Sequence, residues 1–167
     1  MGMQMKKPFV AVIGFGNSGK STIIQSLTGC KHHSLRDWVT DKHTGDWIMV
    51  ICSSPQEIPM SSKELKRVVS EAANKPKCIG LVMAIQPTET RRRVSLEDVF
   101  AEVDSTKAFE NYAYIIATEY GGGRRDYETL AERVESASPA TKVYEIDGRR
   151  FAFFNASFIR ASSHLPS

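Results

Sequence analysis

The sequence of 167 residues has no long hydrophobic run and little cysteine. None of its apolar stretches approaches the roughly 20 residues that a membrane-spanning helix needs, so we expect no membrane association. Its start, MGMQMKK, lacks the apolar core of a signal peptide, and Lys6 stands where the myristoylation pattern requires serine or threonine. The 3 cysteines show no paired spacing. This favours a reduced, cytoplasmic protein over a secreted one.

The sequence also lacks a strong excess of charge of either sign. Its 22 Lys and Arg residues against 19 Asp and Glu residues give a formal net charge of +3. That value suits an anionic ligand but falls short of the basic stripe of a dedicated nucleic-acid binder, so no specific nucleic acid is predicted as a partner. With 41% hydrophobic residues, the chain can bury a core without disulfides or metals. We expect a single domain over residues 1–160 and a flexible tail over residues 161–167.

Five apolar runs alternate with segments of helical periodicity. Strands are predicted at residues 9–13, 47–52, 78–85, 112–117 and 151–154. Helices are predicted at residues 20–28, 61–73, 95–104 and 126–136. This alternation is typical of βαβ units with a parallel sheet between layers of helices.

The stretch DWVTDKHTGDWIMVI interrupts the alternation. Its two strand-like pieces are separated by a turn at Thr44 and Gly45 that is too short to contain a helix. Two strands joined in this way form a hairpin, which makes one of them antiparallel to its neighbour. The sequence therefore predicts a three-layer α/β fold with a mostly parallel sheet and one antiparallel edge strand.

The stretch GFGNSGKST lies between the first predicted strand and the first predicted helix. Gly14, Gly19, Lys20 and Ser21 fit the phosphate-binding pattern G-x-x-x-x-G-K-[ST], in the strand-to-helix context that its mechanism requires. Consecutive backbone N–H groups of such a loop surround a phosphate, and glycines let the phosphate approach the main chain. The predicted nucleotide-binding residues are Gly14, Phe15, Gly16, Asn17, Ser18, Gly19, Lys20, Ser21 and Thr22.

Two side chains of this loop have distinct predicted roles. Lys20 is the candidate catalytic cation, which would reach the β- and γ-phosphates as a point charge. Ser21 is the candidate metal ligand, with its hydroxyl on Mg²⁺. The following helix would direct its positive end at the polyphosphate. These roles predict a nucleoside triphosphate, GTP or ATP, as the ligand and Mg²⁺ as its cofactor.

The stretch GFGNSGKSTIIQSLTG resembles the first motif of the translation-factor-related (TRAFAC) GTPases. In that class an asparagine often precedes the second glycine by two, and the helix ends in L-x-G. The resemblance extends in order over most of the chain. It implies the fold of a P-loop NTPase and a GTPase-like activity.

The motif D-x-P-G that follows the third strand in this class is altered here. The sequence reads SSPQ at positions 53–56, so Ser53 replaces the Walker B aspartate that holds the Mg²⁺ shell. Gln56 replaces the glycine whose amide senses the γ-phosphate. The resemblance therefore implies slow hydrolysis at most.

The base-reading motif N-K-x-D is altered as well. After the strand YAYIIA the chain reads Thr118, Glu119, Tyr120 and Gly121, which contains no aspartate to pair with guanine. Thr118 and Glu119 remain candidate base contacts by position. Ala156 and Ser157 resemble the S-A-x loop of the family, which lies near the base, and they are the other candidates.

Two arginine clusters suggest an alternative, a nucleotide or small-molecule kinase with arginine-rich lid loops. Arg91, Arg92 and Arg93 follow the end of one predicted strand, and Arg124 and Arg125 follow three glycines after another. Ligands of open α/β sheets bind at such strand ends. An arginine at a transferring phosphoryl group is worth about 10³ to 10⁵ in rate. The plainer interpretation of both clusters is solvated surface charge.

A third alternative is a non-catalytic, nucleotide-binding regulatory module. The replacement of the aspartate at position 53 favours it. Such a module would have a protein partner in addition to its nucleotide. The sequence contains no signal for the oligomeric state.

Overall fold

The computed structural model describes residues 4–30, 36–58, 60–88, 94–119 and 121–166. These ranges contain six strands and five helices. In chain order they are β1 Lys7–Ile13, α1 Lys20–Thr28, β2 Asp37–Thr40, β3 Trp47–Ile51, α2 Ser62–Asn74, β4 Cys78–Ile85, α3 Leu96–Ser105, β5 Phe109–Thr118, α4 Tyr127–Ala137, β6 Lys142–Asp147 and α5 Ala152–Ser163.

The six strands form one sheet in the order β2-β3-β4-β1-β5-β6. All neighbouring strands are parallel except β2 and β3, which form the antiparallel hairpin at one edge. Ile13, the last residue of β1, is level with Ile85 of β4 on one side and with Ile115 of β5 on the other. The predicted three-layer α/β fold is confirmed, and the loop after β1 begins in the interior of the sheet's carboxyl edge.

Helices cover both faces of the sheet and produce two cores. Phe9, Ala11 and Ile13 of β1 pack with α2, α3 and α4 on one face. Val10 and Val12 pack with α1 and α5 on the other face. Because successive strand residues point to opposite faces, a strand covered on both sides needs a continuous apolar run. This explains why the central strands were recognisable from the sequence.

Side-chain caps fix the starts of three helices. Ser61, Ser95 and Asp126 each accept a hydrogen bond from the backbone N–H three residues later, at the starts of α2, α3 and α4. At α3 the arrangement is reciprocal, because Asp98 Oδ2 accepts from Ser95 N at 2.9 Å and Ser95 Oγ accepts from Asp98 N at 3.1 Å. Of the helices within the described ranges, none combines the length and apolar character that crossing a membrane requires.

The predicted strand at residues 151–154 is wrong. These residues begin α5, and the last strand is β6 at Lys142–Asp147. The sequence of β6, KVYEID, mixes polar and apolar residues because an edge strand is only partly covered. The phenylalanines of the run FAFF are exposed at the surface, so the run is apolar without being a buried strand. The helix α5 extends to Ser163, beyond the predicted boundary at residue 160, and Leu165 is 3% exposed.

The α3 cap provides a test of local stability. We expect Ser95→Ala to lower the free energy of unfolding by about 1 kcal/mol, because it leaves the Asp98 N–H without its acceptor. Ser136→Ala, at an exposed position within α4, is the matched control and should change stability by less than about 0.5 kcal/mol. Urea unfolding followed by circular dichroism measures both. Equal effects of the two substitutions would contradict a capping role.

Candidate functional site

The loop at residues 14–19 joins β1 to α1 and is folded back on itself. Gly14 N donates to Ile85 O at 3.0 Å, and Ser18 N donates to Phe15 O at 3.2 Å. Asn17 and Gly19 have positive φ values of 61° and 101°. Left-handed residues in such a loop turn successive N–H groups toward one side, which creates a concavity for an anion.

The start of α1 is open to a ligand. Its N-cap residue is Gly19, which makes no side-chain capping bond. The four N–H groups of a helix's first turn have no partner within the helix, and the helix dipole places partial positive charge there. An anion at this end would satisfy them, as in other phosphate sites at helix N-termini.

Close packing inside the loop explains its first glycine. A Cβ on Gly14 would lie 2.4 Å from Ser18 Oγ. Ser18 is fully buried, and its Oγ has no hydrogen-bond partner within the described part of the chain. A buried hydroxyl without a partner costs about 1 to 3 kcal/mol. Ser18 also lines the cavity beside the loop.

Lys20 places a buried cation at the centre of the loop. The residue is 3% exposed, and its Nζ donates to Phe15 O at 2.8 Å and to Glu57 Oε1 at 3.4 Å. Burial lowers the pKa of Lys20 from its ordinary value, and the carboxylates of Glu57 and Glu119 oppose that shift. The ammonium group is therefore held in position, with only part of its hydration replaced by protein oxygens.

A cavity of about 780 Å³ lies against this loop. Its volume is within the range of about 300 to 1,000 Å³ that is usual for small-molecule sites. Ser21 lies on its wall, and Ser21 Oγ donates to Cys52 O at 3.2 Å, which ties the start of α1 to the end of β3. The lining residues are Asn17, Ser18, Gly19, Lys20, Ser21, Thr22, Ile23, Ser53, Glu57, Gly148, Arg149, Arg150, Phe151 and Ala152.

Glu57 is a site residue that sequence reasoning missed. It lies four residues after Ser53, which occupies the position of the family's aspartate and also lines the cavity. A tight turn orients Glu57, since Ser54 Oγ accepts from Glu57 N at 3.2 Å and Glu57 Oε2 accepts from Ser54 N at 3.4 Å. The available signal was an acidic residue directly after the altered motif.

The oxygen donors of this cavity fit a magnesium ion bound together with phosphates. The Ser21 hydroxyl and the Glu57 carboxylate both line it, and Mg²⁺ prefers a few protein oxygens supplemented by phosphates and waters. Over the described ranges, there is no group of three or more His, Cys, Asp or Glu side chains that could hold a metal by themselves.

Arg125 is the arginine of the predicted lid that lies beside the loop. Its guanidinium carbon is 4.6 Å from the centre of the Phe15 ring, and its Nε donates to Glu119 Oε1 at 3.0 Å. Its neighbour Arg124 forms an isolated bridge with Thr118. Arg91, Arg92 and Arg93 lie outside the described residues. Only the second arginine cluster can therefore be placed, and its Arg125 is stacked on the rim of the phosphate loop.

The candidate base contacts are dispersed. Ala156 is buried in the core beneath α5, and Ser157 Oγ donates to Phe153 O within the same helix, so neither lines the cavity. Glu119 is paired with Arg125. Thr118 does not line this cavity. Its carbonyl oxygen accepts a hydrogen bond from Gly148 N at 2.7 Å. The structure brings residues 148–152 of the β6–α5 turn to the cavity instead.

Gly148 is a second residue that sequence reasoning missed. A Cβ at this position would lie 2.9 Å from both Ser18 O and Thr118 O. Glycine is therefore required for the β6–α5 turn to touch the phosphate loop. This contact holds the two walls of the cavity together.

Another cavity, of about 630 Å³, lies at the opposite edge of the sheet and includes Lys7. The Lys7 Nζ donates to Ala72 O at 2.8 Å, Ala73 O at 3.1 Å and Lys75 O at 3.0 Å, at the end of α2. Three carbonyls thus occupy the donors of this ammonium group. The cavity beside the phosphate loop differs in that it adjoins the uncapped start of α1.

Comparison with known proteins gives little further guidance. No protein-family model and no curated protein sequence matches the chain. Among solved structures it is similar to the FeoB G-domain from Methanococcus jannaschii, with 17% identity and a TM-score of 0.45, over 95% of this chain and 98% of that chain. So distant a likeness carries no argument about function. The topology and the loop by themselves define the class, a three-layer α/β domain with a P-loop between β1 and α1.

The contact at Gly148 provides the next test. We expect Gly148→Ala to destabilise the fold by about 1 to 3 kcal/mol, because the added methyl group must displace two backbone carbonyls. Gly121→Ala is the matched control, since a Cβ there meets nothing within 4 Å. Chemical unfolding measures both variants. A Gly148→Ala variant as stable as the control would contradict the close packing of the turn on the loop.

Proposed function

We propose that this domain binds a nucleoside triphosphate, GTP or ATP, together with Mg²⁺, through the loop at residues 14–22. The observation that carries the proposal is the buried ammonium group of Lys20, at the uncapped start of α1 and on the wall of a 780 Å³ cavity. A preorganised cation and a helix N-terminus that converge on one cavity favour a polyphosphate. The open N–H groups would bind phosphate oxygens, and Lys20 would bind the terminal ones.

We further propose that Ser21 and Glu57 hold the Mg²⁺ of the complex. When bound, the metal would neutralise phosphate charge and orient the terminal phosphoryl group. In the free protein, Glu57 pairs with Lys20 and offsets part of its charge. Phosphates that take over Lys20 would release this carboxylate. Glu57 would then take part of the role that Ser53 cannot fill.

Hydrolysis in this proposal is slow. Ser53 supplies no carboxylate at the position where the family has one. Arg125 lies beside the loop without lining the cavity, and it is engaged with Phe15 and Glu119. The non-catalytic alternative shares the same binding site and differs in one measurable respect, since its phosphate release would not exceed the background rate. The kinase alternative requires phosphate transfer to an added acceptor.

Lys20→Ala tests the binding site directly. We expect the affinity for GTP and ATP to fall by at least about tenfold, because one charge-assisted hydrogen bond contributes about 1.5 to 3 kcal/mol. Lys77→Ala is the matched control, because Lys77 also pairs with an acidic residue, Asp46, but is largely exposed and far along the chain. Titration calorimetry measures affinity, and a thermal melt checks folding. Unchanged affinity in folded Lys20→Ala would refute the site.

Glu57→Gln tests the metal assignment. Removal of the charge that competes for Lys20 should strengthen binding of the triphosphate without Mg²⁺, while the gain in affinity on addition of Mg²⁺ should shrink at least severalfold. Asp46→Asn is the control, since it removes a carboxylate from an exposed lysine pair. The measurement is calorimetric titration with and without Mg²⁺. If Glu57→Gln retained the full Mg²⁺ dependence of the unmodified protein, the assignment of Glu57 would be wrong.

A further inference from the structure

The cavity beside the phosphate loop extends away from Lys20 and reaches an exposed aromatic ring. Phe151 lies in the β6–α5 turn, is 73% exposed and lines the same cavity as Lys20. Arg149 and Arg150 of the same turn line it as well. A ligand anchored by its phosphates on the loop and extended along the cavity would therefore place its next group against this turn.

Two other exposed aromatic rings lie beside the Phe151 ring. Its centre is 6.4 Å from that of Phe153 at an interplanar angle of 17°, and 6.2 Å from that of Phe154. The packing of Gly148 on Ser18 O fixes the distance between this turn and the phosphate loop. The turn that carries the ring is thus packed against the phosphate loop, while most of the ring surface is exposed to water.

The carboxylates closest to this turn in the chain and in the sheet are already engaged. Asp147 accepts from Arg149 Nε at 3.1 Å and from its terminal nitrogen at 2.8 Å, and this ion pair lowers the pKa of Asp147 to about 2. Glu119 is paired with Arg125 at 3.0 Å. A carboxylate that binds the N1 and N2 edge of guanine needs free acceptor oxygens. Asp147 and Glu119 would first have to break their ion pairs with arginine.

We propose that Phe151 is a stacking platform for the nucleobase, and that the site consequently accepts different bases with similar affinity. This inference rests on the proposed function and adds to it the base-binding residue and the class of ligand, nucleoside triphosphates without base selection. Every base has a π face, so stacking on an aromatic side chain tolerates any of them. Hydrogen bonds to the base edge would discriminate between bases, but the carboxylates of Asp147 and Glu119 are each paired with an arginine.

The test is calorimetric binding of four nucleotides, GTP, ATP, CTP and UTP, and of inorganic tripolyphosphate, each with Mg²⁺. The unmodified protein should bind the four nucleotides within about tenfold of one another. Phe151→Ala should weaken all four by about 5- to 150-fold, which corresponds to the loss of one stacked base, and should leave tripolyphosphate binding unchanged. Phe151→Tyr, which keeps an aromatic face, should retain the affinity of the unmodified protein.

Two further variants separate stacking from other effects. Phe153→Ala is the matched control, because Phe153 is 56% exposed and belongs to the same aromatic group but does not line the cavity; it should leave all affinities within about twofold. Phe151→Leu keeps apolar bulk without a π face and should behave like Phe151→Ala. If Phe151→Ala failed to fold, the comparison of Phe151→Leu with Phe151→Tyr would decide.

The binding results distinguish a failure of the proposed function from a failure of the stacking platform. If neither nucleotides nor tripolyphosphate bind to the unmodified protein, the proposed function fails. If they bind and Phe151→Ala and Phe151→Leu bind nucleotides normally, the stacking platform fails while the phosphate site stands. A preference of more than about tenfold for GTP would overturn the absence of base selection. Equal losses in Phe151→Ala and Phe153→Ala would show an effect of the whole aromatic surface, for example as a contact face for another protein, and would also overturn the proposal.

Discussion

The placement of the Lys20 ammonium group is the constraint on which the rest of the site depends. A lysine that is 3% exposed loses much of its hydration, which is costly unless protein oxygens replace the water. Phe15 O and Glu57 Oε1 do so here. A polyphosphate, whose terminal phosphoryl group carries up to two negative charges shared over its oxygens, would attract the ammonium group more strongly than either contact. In the free protein, the Glu57 carboxylate therefore offsets part of the cost of burying this cation.

The sheet positions the segments that surround the Lys20 ammonium group. The strand β1 lies between β4 and β5, and its residues 9–13 are fully buried, so the loop that follows it has little freedom at its start. The turn at Gly148 packs closely against Ser18 of the loop, and Arg125 stacks on Phe15 of the same loop. Three segments that are distant in sequence thus meet at the carboxyl edge of the sheet, where open α/β folds bind their ligands.

Local signals made much of the fold predictable. The predicted helix starts at residues 61, 95 and 126 lie one residue before the observed starts of α2, α3 and α4, where Ser61, Ser95 and Asp126 form local caps over three positions. The strand at residues 151–154 was mispredicted because a run of apolar residues was taken to indicate burial, whereas its phenylalanines are exposed at the start of a helix. Edge strands such as β6 lack a continuous apolar run, and their pattern is weak in sequence. The approach of Gly148 and the position of Glu57 have no local signature.

The sequence by itself determined the phosphate loop, since its glycines, lysine and serine are adjacent and their spacing alone specifies the backbone path from β1 to α1. It also determined the two-sided burial of the central strands through their continuous apolar runs. Only the tertiary structure decided which side chains face the phosphate loop. Glu57, Arg125 and Phe151 come from three different connections of the sheet, and their proximity depends on strand order. Strand order follows from the packing of whole layers, which no short stretch of residues encodes.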